Sequence, residues 1–168
     1  MTLYARRVLD DCKAALKMLE DEEDEQQCRI LWAGAMTLVR AVGHVLKNVD
    51  GENDSEVRSL AEAAWNRWST DRASNEIFWE FIQKERNNIL KEYRFNVHDS
   101  ASVGLVAVEM DEAGNEVAVE SPFMLDENLY RPIEEGFQVG EDARDVYVNA
   151  IEWWDMELSR IEADLIVK

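Results

Sequence analysis

From about Gln26 to Asn48 the chain is apolar on nearly every side of a helix, through Ile30, Leu31, Trp32, Met36, Leu38, Val39, Val42, Val45 and Leu46. A helix with that profile has to be surrounded, by other protein elements or by lipid. Its longest apolar run, Ile30 to Leu46, is interrupted by Arg40, His44 and two glycines, and it falls short of the roughly 20 residues a membrane span needs. The segment is therefore expected at the centre of a soluble core, with other helices around it. Gly34 and Gly43 cost some helix propensity but would let a neighbouring helix come close.

Candidates for those surrounding helices are easy to find. Tyr4, Val8, Cys12, Ala15, Leu16 and Leu19 recur at spacings of three and four and form one stripe. The acidic run Glu20–Glu25 that follows opposes packing and favours an exposed turn; it lacks the spaced oxygens and the glycine of a calcium loop. Asp50–Ser55 combines a helix stop with a cap. A third helix is expected from about Ser55 to Asp71, with Val57, Leu60, Ala61, Ala64, Trp65 and Trp68 on one face. A fourth is expected from Ser74 or Asn75 to about Arg94, carried by Ile77, Phe78, Phe81, Ile82, Ile89 and Tyr93. Four helices with short connections fit an antiparallel four-helix bundle over residues 1–96.

After Phe95 the pattern changes. Ser102–Met110 and Glu116–Glu120 are β-branched and apolar, and Asp-Glu-Ala-Gly-Asn between them is good turn chemistry, which predicts a β-hairpin. Residues 121–140 hold both prolines and read as a connector. A last amphipathic helix is expected from about Asp142 to Val167, with Val146, Ala150, Trp154, Leu158, Ile161 and Leu165 on one stripe. The expected fold class is thus mainly α: an antiparallel four-helix bundle with an appended β-hairpin and a C-terminal amphipathic helix. Residues 97–168 would pack on the bundle, and a chain of 168 residues suits one compact domain.

Charge narrows the choice of partners. The formal net charge is -18, a field that repels nucleic-acid phosphate and anionic membrane surface. Residues 1–96 carry 14 Lys and Arg against 18 Asp and Glu, whereas 97–168 carry 4 against 18. The acidic part, with Trp153 and Trp154, is either a solvated face or a surface for a basic protein partner. Cys12 and Cys28 fall at apolar-compatible helical positions and are expected as buried free thiols, as in a reducing compartment. The first residues hold no apolar signal core, so a cytoplasmic location is expected, with no membrane association.

Most enzyme signatures are missing: there is no Gly-rich phosphate loop, no Gly-x-Ser-x-Gly elbow and no Cys or His spacing for zinc, so neither metal nor cofactor is expected. Arg40 and His44 lie four residues apart on the apolar helix and share a face, either satisfied by buried carboxylates or lining a cleft. Within Ile77–Phe95, Arg86 and Asn87 are followed by Lys91 and Tyr93. This resembles the motif helix of the HEPN family of small helical bundles, in which Arg-Asn is followed by a His and, two residues on, a Tyr; here Lys91 stands where that His would be.

The resemblance implies a bundle that dimerises through its motif helices, and active members cleave RNA without metal at a site shared between protomers. Arg suits that chemistry because it holds phosphate in a bidentate fork, and His because it shuttles the proton of a 2′-hydroxyl near neutral pH. A lysine ammonium keeps its proton at neutral pH unless strongly desolvated, so it binds phosphate without moving protons. The motif therefore implies a homodimer that works by binding in a toxin–antitoxin or phage-defence setting. A displaced base, His44 or His98, would make it a ribonuclease toxin instead. The candidate residues for a cleft or dimer interface are Arg86, Asn87, Lys91, Tyr93, Arg40 and His44, with Arg86 and His44 the catalytic candidates. On the plainer view Glu85, Arg86, Lys91 and Glu92 are a solvated ionic face.

Overall fold

A computed structural model describes residues 3–97, 104–110, 114–124 and 130–166. The chain is mainly helical. Helix α1 (Tyr4–Asp21) buries Ala5, Leu9, Cys12, Ala15 and Leu19, one stripe along its length, against α2 (Glu25–Val45). Asp24 caps α2, accepting a hydrogen bond from the Gln27 backbone N–H at 2.8 Å. The acidic run is thus a tight turn whose last carboxylates start the next helix.

Helix α2 takes the central place its composition demands, burying Cys28, Trp32, Ala35, Met36, Val39 and Val42. By length and composition alone the stretch Glu25–Asn53 could cross a membrane, a test that core helices also pass. Here its apolar side chains meet α1, α5 and α6. Both cysteines are free and buried, and burial pushes the Cys12 thiol up to about 11.

The expected stop at Asp50 and Gly51 is not one. The helix runs on through a π-helical segment, Leu46–Asp50, and one further turn, α3 (Gly51–Asn53). Asp50 is buried because it serves another helix: its carboxylate accepts from the backbone N–H groups of Tyr4 at 2.8 Å and Ala5 at 2.9 Å. Those are orphan donors of α1, where Leu3 offers no side-chain cap. Gly51 suits a close approach, since a Cβ there would lie 3.3 Å from the Arg58 Cα, a tight contact. Asp54 then caps α4 (Ser55–Thr70), as its position before an amphipathic stretch suggests.

The next helix also departs from simple α geometry. A π-helical segment, Ile77–Gln83, leads into α5 (Lys84–Glu92). It ends sooner than periodicity suggests, because Tyr93 adopts a left-handed conformation with φ 51° and the Arg94 N–H turns back to the Asn88 carbonyl at 3.2 Å.

Strands β1 (Gly104–Met110) and β2 (Glu116–Met124) pair antiparallel, from Val106 opposite Glu120 to Met110 opposite Glu116. Most of the turn expected between them, and residues 125–129 of the connector, lie outside the described residues. Helix α6 (Ala143–Ile166) packs on α1 and α4 and closes the core. Its buried face is wider than one stripe, taking in Tyr147, Ile151, Trp153 and Glu157 beside the expected Val146, Ala150, Trp154, Leu158 and Ile161, because the helix has neighbours on two sides. Arg6 clamps α1 to α6, reaching Asp155 at 2.6 Å, Glu162 at 2.8 Å and the Ser159 hydroxyl at 2.7 Å.

Candidate functional site

Around the junction of α2, α4 and α6 the aromatic side chains gather. Trp68 lies 5.4 Å from Trp154 and 5.1 Å from Trp153, and Phe78 lies 5.3 Å from Trp153 and 5.9 Å from Trp154. Trp153 and Trp154 are therefore core, which removes them from any surface for a basic partner. A tryptophan pair on an acidic helix gives no sign in the sequence of which side it faces. Here it faces inward because α4 and the Phe78 segment supply matching rings.

Above this cluster opens a cleft of about 700 Å³ between α2 and α4. Its floor includes Trp154 and Phe78, and its walls carry Arg40, His44, Lys47, Arg58 and Trp65, with Glu52 and Glu62 also in the lining. Both π-helical segments contribute, through Leu46, Lys47 and Asn48 from the first and Phe78 from the second. Such segments are frequent at functional sites because they displace side chains from the regular helical face. Gly43 makes the floor possible: a Cβ there would meet the Trp154 ring at 2.8 Å.

The cations at and near this face act on one another electrostatically. The Arg40 guanidinium lies over the Phe78 ring, 5.3 Å from its centre. Burial, and then the charge of Arg86, lower the Arg40 pKa from its ordinary value. The His44 pKa is lowered too, first by partial desolvation and then by Arg40, Arg86 and Lys47 in turn, so the imidazole is neutral at neutral pH. Arg86, half-buried on α5, donates to the Asn87 side-chain oxygen at 3.0 Å. Among the described residues no carboxylate forms an ion pair with Arg40, His44, Lys47 or Arg86.

Of the six candidates from the sequence, the structure thus brings Arg40, His44 and Arg86 into one electrostatic cluster, with Asn87 attached through Arg86. Lys91 and Tyr93 do not join it: both are exposed, and Tyr93 turns toward Phe95 and a different cavity. His98 lies outside the described residues. Nor is the neighbouring stretch one solvated ionic face, since Glu85 is buried and accepts from the Trp32 indole at 3.3 Å and the Asn96 N–H at 3.2 Å. Burial raises its pKa. Lys47, Arg58, Trp65 and Phe78 escaped sequence reasoning. No motif or spacing singles out Lys47 or Arg58, and Trp65 and Phe78 fall on the apolar faces of their helices.

Chemically, the face can hold an anion: it offers guanidinium forks, a neutral imidazole and an aromatic wall. Among the described residues no group of His, Cys, Asp and Glu is disposed to hold a metal ion. Fold and site together define a mainly helical protein with a cationic cleft in an acidic chain. Set against models of known families, curated proteins and solved structures, the chain matches none of them.

Proposed function

We propose that this protein is a HEPN-like helical bundle that acts by dimerisation and binding, and that the Arg40–His44–Arg86 face holds a phosphate-bearing ligand. In this reading α1, α2, α4 and the helix Ile77–Glu92 are the four-helix unit, and the strands and α6 elaborate it. The observation that carries the proposal is the like-charge cluster. Arg86 acts on both Arg40 and His44, and among the described residues no carboxylate is in an ion pair with any of the three, so their mutual repulsion costs stability and an anionic occupant offsets that cost. With a net charge of -18, the rest of the surface repels long nucleic acid, so the ligand is short or is presented by a partner. A cytoplasmic toxin–antitoxin or phage-defence role is the setting the motif suggests.

The test is direct binding of inorganic phosphate and of a short single-stranded RNA by calorimetry, at two salt concentrations. Saturable binding that weakens with salt and is lost in Arg40→Gln and Arg86→Gln is expected. Equal heats for wild type and both variants would overturn the proposal. Sedimentation over a range of concentrations tests the dimer.

A second reading draws on the position of His44. A neutral imidazole beside Arg86 has the protonation state needed to accept the proton of an attacking 2′-hydroxyl, with Arg86 holding the phosphate. It makes the protein a metal-independent ribonuclease with a relocated base. Incubation with a mixed RNA pool in a chelator separates the two: cutting that disappears in both Arg86→Ala and His44→Ala selects the enzyme, and intact RNA selects binding alone.

A further inference from the structure

A second cavity, of about 370 Å³, lies apart from the α2–α4 cleft, where the first turns of α2, the chain leaving α5 and the arm preceding α6 meet. We propose that it is a binding site for a small oxyanion carried on a compact apolar body, such as a carboxylate or phosphate monoester on a ring or short chain.

Its apolar lining comes from Trp32, Phe95 and Leu19, and four arginines, Arg29, Arg94, Arg131 and Arg144, border it against one acidic residue, Glu134. Residues 97–168 hold just four Lys and Arg, and two of them, Arg131 and Arg144, are at this cavity. The walls are fixed by main-chain bonds. The Glu134 N–H donates to the Asn96 carbonyl at 2.7 Å, Val97 bridges to Ile133, and the Ala143 N–H donates to the Arg131 carbonyl at 2.9 Å. A cavity with apolar walls, a few polar groups at fixed positions and a volume of a few hundred Å³ has the form of a small-molecule site.

The arginines divide by role. Arg144 forks onto Asp142, with bonds of 2.9 and 2.7 Å, and buried Arg131 reaches the Glu22 and Glu23 carbonyls at 3.4 and 3.5 Å. These two shape the wall, and they oppose the rise that burial imposes on the Cys28 thiol. Arg94 is different. Its side chain is half exposed, and its ion pair with Glu92 spans 3.7 Å, so its fork is able to turn to a bound oxyanion. The ligand's oxyanion meets Arg94, with Arg29 beside it, and its apolar body rests on Trp32 and Phe95.

Four probes test this on the full chain: phenylacetate, phenyl phosphate, benzyl alcohol and inorganic phosphate, titrated while the Trp32 indole and Arg94 side-chain N–H signals are followed by NMR. Phenylacetate or phenyl phosphate should shift both signals saturably, and their relative affinity tells carboxylate from phosphate. Benzyl alcohol and inorganic phosphate, each lacking one half of the ligand, should bind about tenfold more weakly or worse. Arg94→Gln should weaken the aryl anions about tenfold with the unfolding midpoint unchanged, and Arg29→Gln is the second variant. Arg40→Gln, in the other cleft, should leave these affinities alone. Unmoved Trp32 and Arg94 signals, equal binding of benzyl alcohol, or full affinity in both Arg94→Gln and Arg29→Gln would each overturn the assignment.

Discussion

Charge is treated in opposite ways at two places in this molecule. Where α4 meets α6, buried Glu157 accepts from the Trp68 indole at 2.8 Å, pairs with Arg67, and has Arg160 3.7 Å away. Asp50 is likewise buried and matched, by two backbone donors of α1. At the cleft, which Glu52 and Glu62 also line, Arg40 lies over an aromatic ring and nearby Arg86 bonds an amide, and among the described residues neither they nor His44 has a carboxylate in an ion pair. A matched buried charge holds elements together, and removing one partner strands the other. An unmatched cluster weakens the fold, and its arrangement makes sense through a ligand.

The largest effect should come from breaking the matched region. Glu157→Ala leaves the Trp68 indole and the Arg67 guanidinium without their acceptor and should lower unfolding free energy by about 3 kcal/mol. Glu157→Gln keeps an acceptor for Trp68 and should lose less than half of that. Asp50→Ala uncaps α1 and should cost about 1–2 kcal/mol, with amide exchange accelerating first at Tyr4 and Ala5. Denaturant titration measures both, and a loss below about 0.5 kcal/mol for either would erase the contrast between the two regions.

The cleft should answer with the opposite sign. Arg86→Gln removes one cation from a group of like charges and gives up a single bond to Asn87, so stability should hold or rise by up to about 0.5 kcal/mol while anion binding falls. A loss above about 1 kcal/mol would mean that Arg86 is matched after all.

How much of this was open to reading from the sequence follows from how local each cause is. The helical spans were legible because stripes such as Cys12, Ala15 and Leu19 recur with the helical period, although the buried face of α1 takes Ala5 and Leu9 where Tyr4 and Val8 were expected, and Asp54 was legible as part of a cap. Gly51 misled: a glycine after an aspartate reads as a helix end, and its true reason is the Arg58 backbone across a later turn. Tyr93 gave no sign that it would close α5, since a left-handed residue there is ordinarily glycine or asparagine. Glu157 and Arg67 are 90 residues apart, and no spacing rule connects them. The site was half visible. The four-residue step from Arg40 to His44 put them on one face, but Arg86 joins them only through the packing of α5 on α2, and Lys91 and Tyr93 separate because the helix stops between them.

The smallest expected effect is the most specific to the cluster. His44 has a folded pKa below its ordinary 6.5, so between the two values the unfolded chain binds the proton more readily than the folded one. Stability is therefore full above about pH 6.5 and declines as pH falls through the folded pKa. Arg40→Gln and Arg86→Gln each remove one of the charges that oppose protonation, and each should move the His44 titration upward and flatten this slope. Bound phosphate should do the same through its opposite charge, taking up a fraction of a proton near pH 6. Imidazole NMR titration, with His44→Gln to assign the signal, reads all three. A His44 pKa that neither variant nor phosphate moves would show that partial desolvation alone sets it, and the cluster would lose its claim to act as one site.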